Sequence, residues 1–230
     1  MRQIIVLIVA VLMLVACKSP VSNTPATSEN SNIPYQSGDI LFVSLPLNFG
    51  LSLSPDSVSL IMSQIDAPTQ CIHVAIIERE GDSVFIIDAT IKHGVARYPL
   101  DEFLADFTLS NGGLPILQLM RLADSSNGSL YVANAKKYIG QPYDVDFTLG
   151  NGAQYCSELV RNAYVTPSGD TLFPTLPIDF TEGHGTLSRY WNDIFSLLKC
   201  DSPQGKPGLL PIDIKNDSRL HTVSMITSAE

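Results

Sequence analysis

Residues 72–89 read IHVAIIEREGDSVFIIDA, and this stretch decides the fold. Residues 72–78 and 83–89 are rich in Ile, Val and Phe, side chains that suit a pleated, buried surface. Arg79-Glu80-Gly81-Asp82 between them is a turn signal, so the stretch predicts a β-hairpin. His73 and Asp88 stand out as polar residues within its apolar runs. A turn centred on Glu80-Gly81 sets them directly opposite each other. One centred on Gly81-Asp82 makes them diagonal neighbours on the same face, still within reach. A three-residue loop would put them on opposite faces. An aspartate on an apolar strand needs a partner once it is buried, and His73 is the natural one.

The chain extends from this hairpin in both directions. Ser37-Gly38-Asp39 is a turn, and residues 40–43 (ILFV) form a short buried strand. Residues 55–66 open with Pro55 and carry Val58, Ile61 and Ile65 at helical spacing, which predicts a helix. Residues 100–105 read as a short helix and residues 115–121 as a strand. Residues 129–139 predict a helix closed by Gly140. Residues 155–164 (YCSELVRNAY) predict another, with Leu159, Val160 and Ala163 on one stripe. The tail beyond Pro203 is broken by Pro and Gly and is expected to carry edge strands. No repeat and no second domain is visible. The class is α+β, an antiparallel sheet with helices to one side.

Cys156 stands at the start of a predicted helix. A thiol there meets unpaired N–H groups and the positive end of the helix dipole, which favour the thiolate. The same N–H groups can stabilise a developing oxyanion. With His73 as base and Asp88 orienting it, the pattern is Cys–His–Asp acyl transfer. Cys71 is disfavoured as nucleophile, being two residues from His73 on one strand. His93, His184 and His221 are weaker bases, lacking an evident carboxylate at strand spacing.

A family resemblance follows from these residues. Gly38-Asp39-Ile40-Leu41-Phe42, His73-Val74-Ala75-Ile76, and Tyr155-Cys156-Ser157-Glu158-Leu159-Val160 occur in that order. With Tyr138-Ile139-Gly140-Gln141-Pro142-Tyr143-Asp144 ahead of the cysteine, the chain resembles the circularly permuted NlpC/P60 cysteine hydrolases of the YiiX/YebB-like type. The resemblance implies a papain-like fold, an antiparallel sheet or half-barrel packed against helices. It implies Cys156 as nucleophile, His73 as base and Asp88 as the third polar group, a position where relatives commonly carry Glu. Tyr155 and Tyr143 are expected to line the pocket. The expected substrate is a peptidoglycan peptide or an acylated lipid or amino acid. The competing reading is a non-catalytic envelope lipoprotein that binds lipid or cell-wall fragments in the same groove.

The amino terminus reads as an address. Arg2 precedes thirteen uninterrupted apolar residues, 4–16, the length of a signal-peptide core rather than of a membrane span. Leu14-Val15-Ala16-Cys17 resembles a bacterial lipobox, which implies a lipidated Cys17 and a membrane-anchored protein of the bacterial cell envelope. The organisation expected is a signal peptide (1–16), a lipidated cysteine with a polar tether (17–36) and a catalytic domain (37–230).

The 230 residues carry a net charge of −9, which argues against nucleic acid as a partner. No C-x-x-C pair is present, so no structural zinc is expected, and no cofactor is implied. Beyond Cys17 and Cys156 there are Cys71 and Cys200, which either form a disulfide or stay reduced.

Overall fold

The computed structural model describes residues 33–64 and 66–226. The expected signal peptide and Cys17 lie outside the described residues. In chain order the elements are β1 (Ile40–Pro46), α1 (Pro55–Met62), β2 (Thr69–Glu80), β3 (Ser83–Thr90) and β4 (Gly94–Pro99). Next come α2 (Leu100–Asp106), β5 (Ile116–Leu122), α3 (Gly128–Lys136) and α4 (Cys156–Ala163). The last are β6 (Leu176–Pro177), α5 (Arg189–Leu198), β7 (Pro207–Gly208), α6 (Pro211–Lys215) and β8 (Leu220–Ile226). Six strands form one antiparallel sheet in the order β4-β3-β2-β1-β5-β8. The α+β class is therefore as the sequence implies.

The helices cover both faces of the sheet rather than one. Leu41, Val43, Ala75 and Ile77 pack with Val58 of α1, Phe103 of α2 and Trp191 of α5. Ile40, Phe42, Val74 and Ile76 pack with Tyr131 of α3, Leu159 of α4 and Ile214 of α6. The physical reason is the composition of the central strands. β1 is buried along its whole length, and a strand apolar on both faces must be covered on both.

The hairpin turns on Gly81-Asp82. Glu80 pairs with Ser83 and Ile76 with Ile87, so His73 and Asp88 are diagonal neighbours. Gly81 takes the left-handed φ of +60° that the two-residue turn requires. The β1–β2 register slips between Val43 and Ser44, where Val43 pairs with His73 and Ser44 with Cys71. This bulge sits beside His73. It turns Cys71 to the face of Val74, while Ile72 joins the face of Ala75.

The Gly38-Asp39 motif has a structural role. Asp39 is buried and receives two hydrogen bonds from Arg121, Nε to Oδ1 at 2.6 Å and Nη2 to Oδ2 at 2.8 Å. The pair ties the start of β1 to β5. Gly38 lies against Gly128 so closely that a Cβ would come within 2.4 Å of the Gly128 Cα. Residues 33–36, expected in the tether, dock on the body instead. Tyr35 is buried, and Pro34 O accepts from Arg121 Nη2 at 2.6 Å.

Candidate active site

β2 and β3 bring His73 and Asp88 together as the hairpin register requires. His73 Nε2 and Asp88 Oδ2 are 2.8 Å apart. Both side chains are buried, Asp88 completely. Tyr98, across the β3–β4 ladder, donates its hydroxyl to both Asp88 oxygens at 2.9 and 3.0 Å. Asp88 is thus held from two sides, and its bond to Nε2 sets the orientation of the imidazole. The Phe103 and Phe107 rings pack against His73, with centroids 6.2 and 5.1 Å from the imidazole.

α4 supplies the thiol. Its N-cap residue Tyr155 is extended and offers no side-chain cap, so the first-turn N–H groups are not claimed by a capping side chain. The Cys156 side chain is near enough to His73 to raise the imidazole pKa. With Nε2 engaged by Asp88, Nδ1 is the ring nitrogen left for the thiol. Burial pulls the imidazole pKa down, but the Cys156 and Asp88 charges and hydrogen bonds outweigh it and raise it to about 10. His73 is therefore held as an imidazolium.

Cys71 is a different kind of thiol. It is buried, burial pushes it up to about 12, and its Sγ lies 3.8 Å from the His73 carbonyl. Cys71, Cys156 and Cys200 are all free, so no Cys71–Cys200 bridge forms. His93 does find a carboxylate, with Nε2 2.8 Å from Asp106 Oδ2, a pairing sequence spacing did not reveal. That carboxylate also receives Lys92 Nζ at 2.6 Å. His184 lies on an exposed loop, and His221 is exposed on β8.

A cavity of about 140 Å³ opens beside His73, with Tyr143 in its wall. The 138–144 stretch places Tyr143 there. Gly140, at φ +90°, and Gln141 exchange backbone hydrogen bonds with Val95 of β4 at 2.9 and 2.8 Å. Tyr155, expected beside Tyr143, is instead absent from that wall and fully buried. Its hydroxyl accepts from Leu209 N at 3.3 Å, and Ser157 Oγ donates to Leu209 O at 2.8 Å. Tyr155 therefore anchors the 208–209 segment. Tyr190 and Trp191 of α5, and Phe107 after α2, complete the cavity and were not singled out from sequence. Burial and then the Cys156 charge raise the Tyr143 hydroxyl pKa, and the same two causes raise that of Tyr190.

The family described as permuted papain-like amidase enzyme, YaeF/YiiX, C92 family, matches residues 34–224. The chain belongs to this family. The uncharacterized protein YiiX of Escherichia coli (strain K12) is 28% identical over 142 residues. That match spans 58% of this chain and 59% of YiiX, so under two thirds of the relative is represented. A solved structure titled metalloprotein yiiX, from Escherichia coli O157:H7, superposes with a TM-score of 0.55 at 20% identity. It covers 82% of this chain and 96% of that one, and it shows a shared fold. Among the described residues of this chain, no three His, Cys, Asp or Glu side chains cluster in a way that could hold a metal ion.

Proposed function

We propose that the protein is a lipid-anchored cysteine hydrolase of the bacterial cell envelope that cleaves an amide or ester through a thioester acyl-enzyme. The observation that carries the reading is the buried His73 Nε2–Asp88 Oδ2 contact of 2.8 Å, with Cys156 at the start of α4 raising the pKa of the same imidazole. The Cys156 thiolate attacks the substrate carbonyl carbon and forms a C–S bond. The first-turn N–H groups of α4, which carry no capping side chain, would receive the oxyanion. As the C–N or C–O bond breaks, the His73 proton passes to the leaving group. Water, deprotonated by His73, then attacks the thioester, releasing the carboxylic acid and restoring the thiol. Asp88 holds the imidazole in register throughout.

Reactivity towards iodoacetamide tests the thiolate. At about pH 6, Cys156 is expected to be alkylated faster than Cys200, a partly exposed thiol in the same molecule. His73→Ala should remove that advantage. Equal labelling of the two cysteines would leave a binding protein without an activated nucleophile. The anchor is tested separately. A radioactive fatty acid should be incorporated in cells and lost in Cys17→Ala, and absence of label from the wild type would remove the lipoprotein assignment.

A further inference from the structure

We infer that the groove beside His73 is a subsite for a quaternary ammonium group, a trimethylammonium head of the choline type that the substrate carries near its scissile carbonyl. The inference rests on the cysteine-hydrolase reading for the role of substrate, but the binding site stands without it. The rings Phe107, Tyr143, Phe147, Tyr190 and Trp191 line the cavity. Tyr143 and Phe147 stand at 89° with centroids 6.4 Å apart, and Tyr190 and Trp191 at 77° with centroids 5.0 Å apart. Two such corners form the sides of a box, which offers a cation negative ring faces from more than one direction. The size of about 140 Å³ suits the head. An apolar cavity of about 150 Å³ holds one benzene ring, and a trimethylammonium with its first methylene is a compact group of similar bulk.

Charge decides what kind of group the box takes. No Lys or Arg lines the cavity, and His73, its one cationic side chain, is paired with Asp88 at 2.8 Å. With Cys156 as the thiolate, that thiolate and Asp88 together outweigh the single charge of the imidazolium. The chain as a whole carries a net charge of −9. Both fields draw a cation towards the rings. No carboxylate lines the cavity, and Asp106 in the adjoining one is engaged by Lys92 and His93 at 2.6 and 2.8 Å. A primary ammonium would therefore bury its N–H donors without ionic partners. A quaternary ammonium has no N–H to satisfy, and its methyl groups suit the aliphatic remainder of the wall, Ile194 and Leu198 of α5.

Trp191 provides a direct readout, because it is the only tryptophan in the chain and lines the cavity. Wild-type protein titrated with choline should show a saturable change in Trp191 emission. Tetramethylammonium, which shares only the head, should compete with it. Neohexanol has the shape of choline with carbon in place of the charged nitrogen, and it should bind about tenfold more weakly. Ethanolamine, the primary ammonium, should bind more weakly than choline by about tenfold or more. Tyr190→Leu should weaken choline about tenfold and neohexanol by less than about threefold, because it removes a ring face and keeps an apolar wall. Tyr190→Phe should keep the affinity for both. Retained neohexanol binding shows that the leucine variant is folded.

Equal affinity for choline and neohexanol would overturn the inference, because the cavity would then select shape and not charge. Ethanolamine binding as tightly as choline would overturn it too, as would an unchanged Trp191 emission with every ligand. Iodoacetamide labelling separates these failures from failure of the hydrolase reading. Preferential labelling of Cys156 without a preference for choline over neohexanol keeps the enzyme and removes the subsite. A preference for choline without preferential labelling keeps the subsite and removes the hydrolase.

Discussion

Cys156→Ala is expected to lower turnover of an acyl ester or amide by about ten-thousand-fold or more, with the fold unchanged. The size of the effect follows from the absence of a substitute. Cys71 is buried, and its pKa of about 12 keeps it a neutral thiol at neutral pH. Cys71→Ala should therefore keep turnover within about tenfold of the wild type. A Cys156→Ala protein as active as the wild type would remove the mechanism. The pH profile supplies a second measurement. His73 is charged up to about pH 10, because Cys156 and Asp88 overcome the effect of burial. Its folded value lies above the ordinary 6.5, so the stability that its protonation lends is complete below about pH 6.5. That contribution is lost as the pH rises through about 10. Turnover should fall over the same alkaline limb, because the imidazolium is the proton donor to the leaving group.

The hairpin was legible because strand parity is strict. Once two residues turn at Gly81-Asp82, His73 and Asp88 must share a face. The α4 start was legible because Cys156 opens an amphipathic stretch. β4 was missed because residues 94–99 (GVARYP) mix Gly, Arg and Pro, as an edge strand tolerates. α5 did carry a signal. Ser188 caps it, and Trp191, Ile194, Phe195 and Leu198 recur at helical spacing. Its place beside His73, however, depends on packing between segments more than a hundred residues apart. The groove could not be read for the same reason, since β2, Phe107, Tyr143 and α5 meet only in the fold. Tyr155 shows the converse. It adjoins the nucleophile in sequence, yet the turn into α4 sends its ring into the core against Phe147, at 4.9 Å between centroids.

Substitution of Asp88 should separate orientation from bulk stability. Asp88→Ala leaves His73 Nε2 and the Tyr98 hydroxyl buried without their acceptor. Breaking a buried charged pair in this way costs about 3–5 kcal/mol, read as a lower urea midpoint. Asp88→Asn retains an oxygen for these donors and should recover most of that stability. It removes the negative charge, however, and with it one of the two influences that lift His73. The alkaline limb should then move below pH 10, and turnover should drop about a hundredfold or more as the imidazole loses its charged partner. Tyr98→Phe is the matching control. It removes one hydroxyl from Asp88 but leaves the His73–Asp88 bond, so it should cost about 1 kcal/mol and leave the limb near its original position. An Asp88→Asn protein with the wild-type pH profile would make Asp88 a packing residue. A shifted limb in a folded protein requires that its charge acts through His73, because loss of packing alone does not move the pH at which an imidazolium gives up its proton.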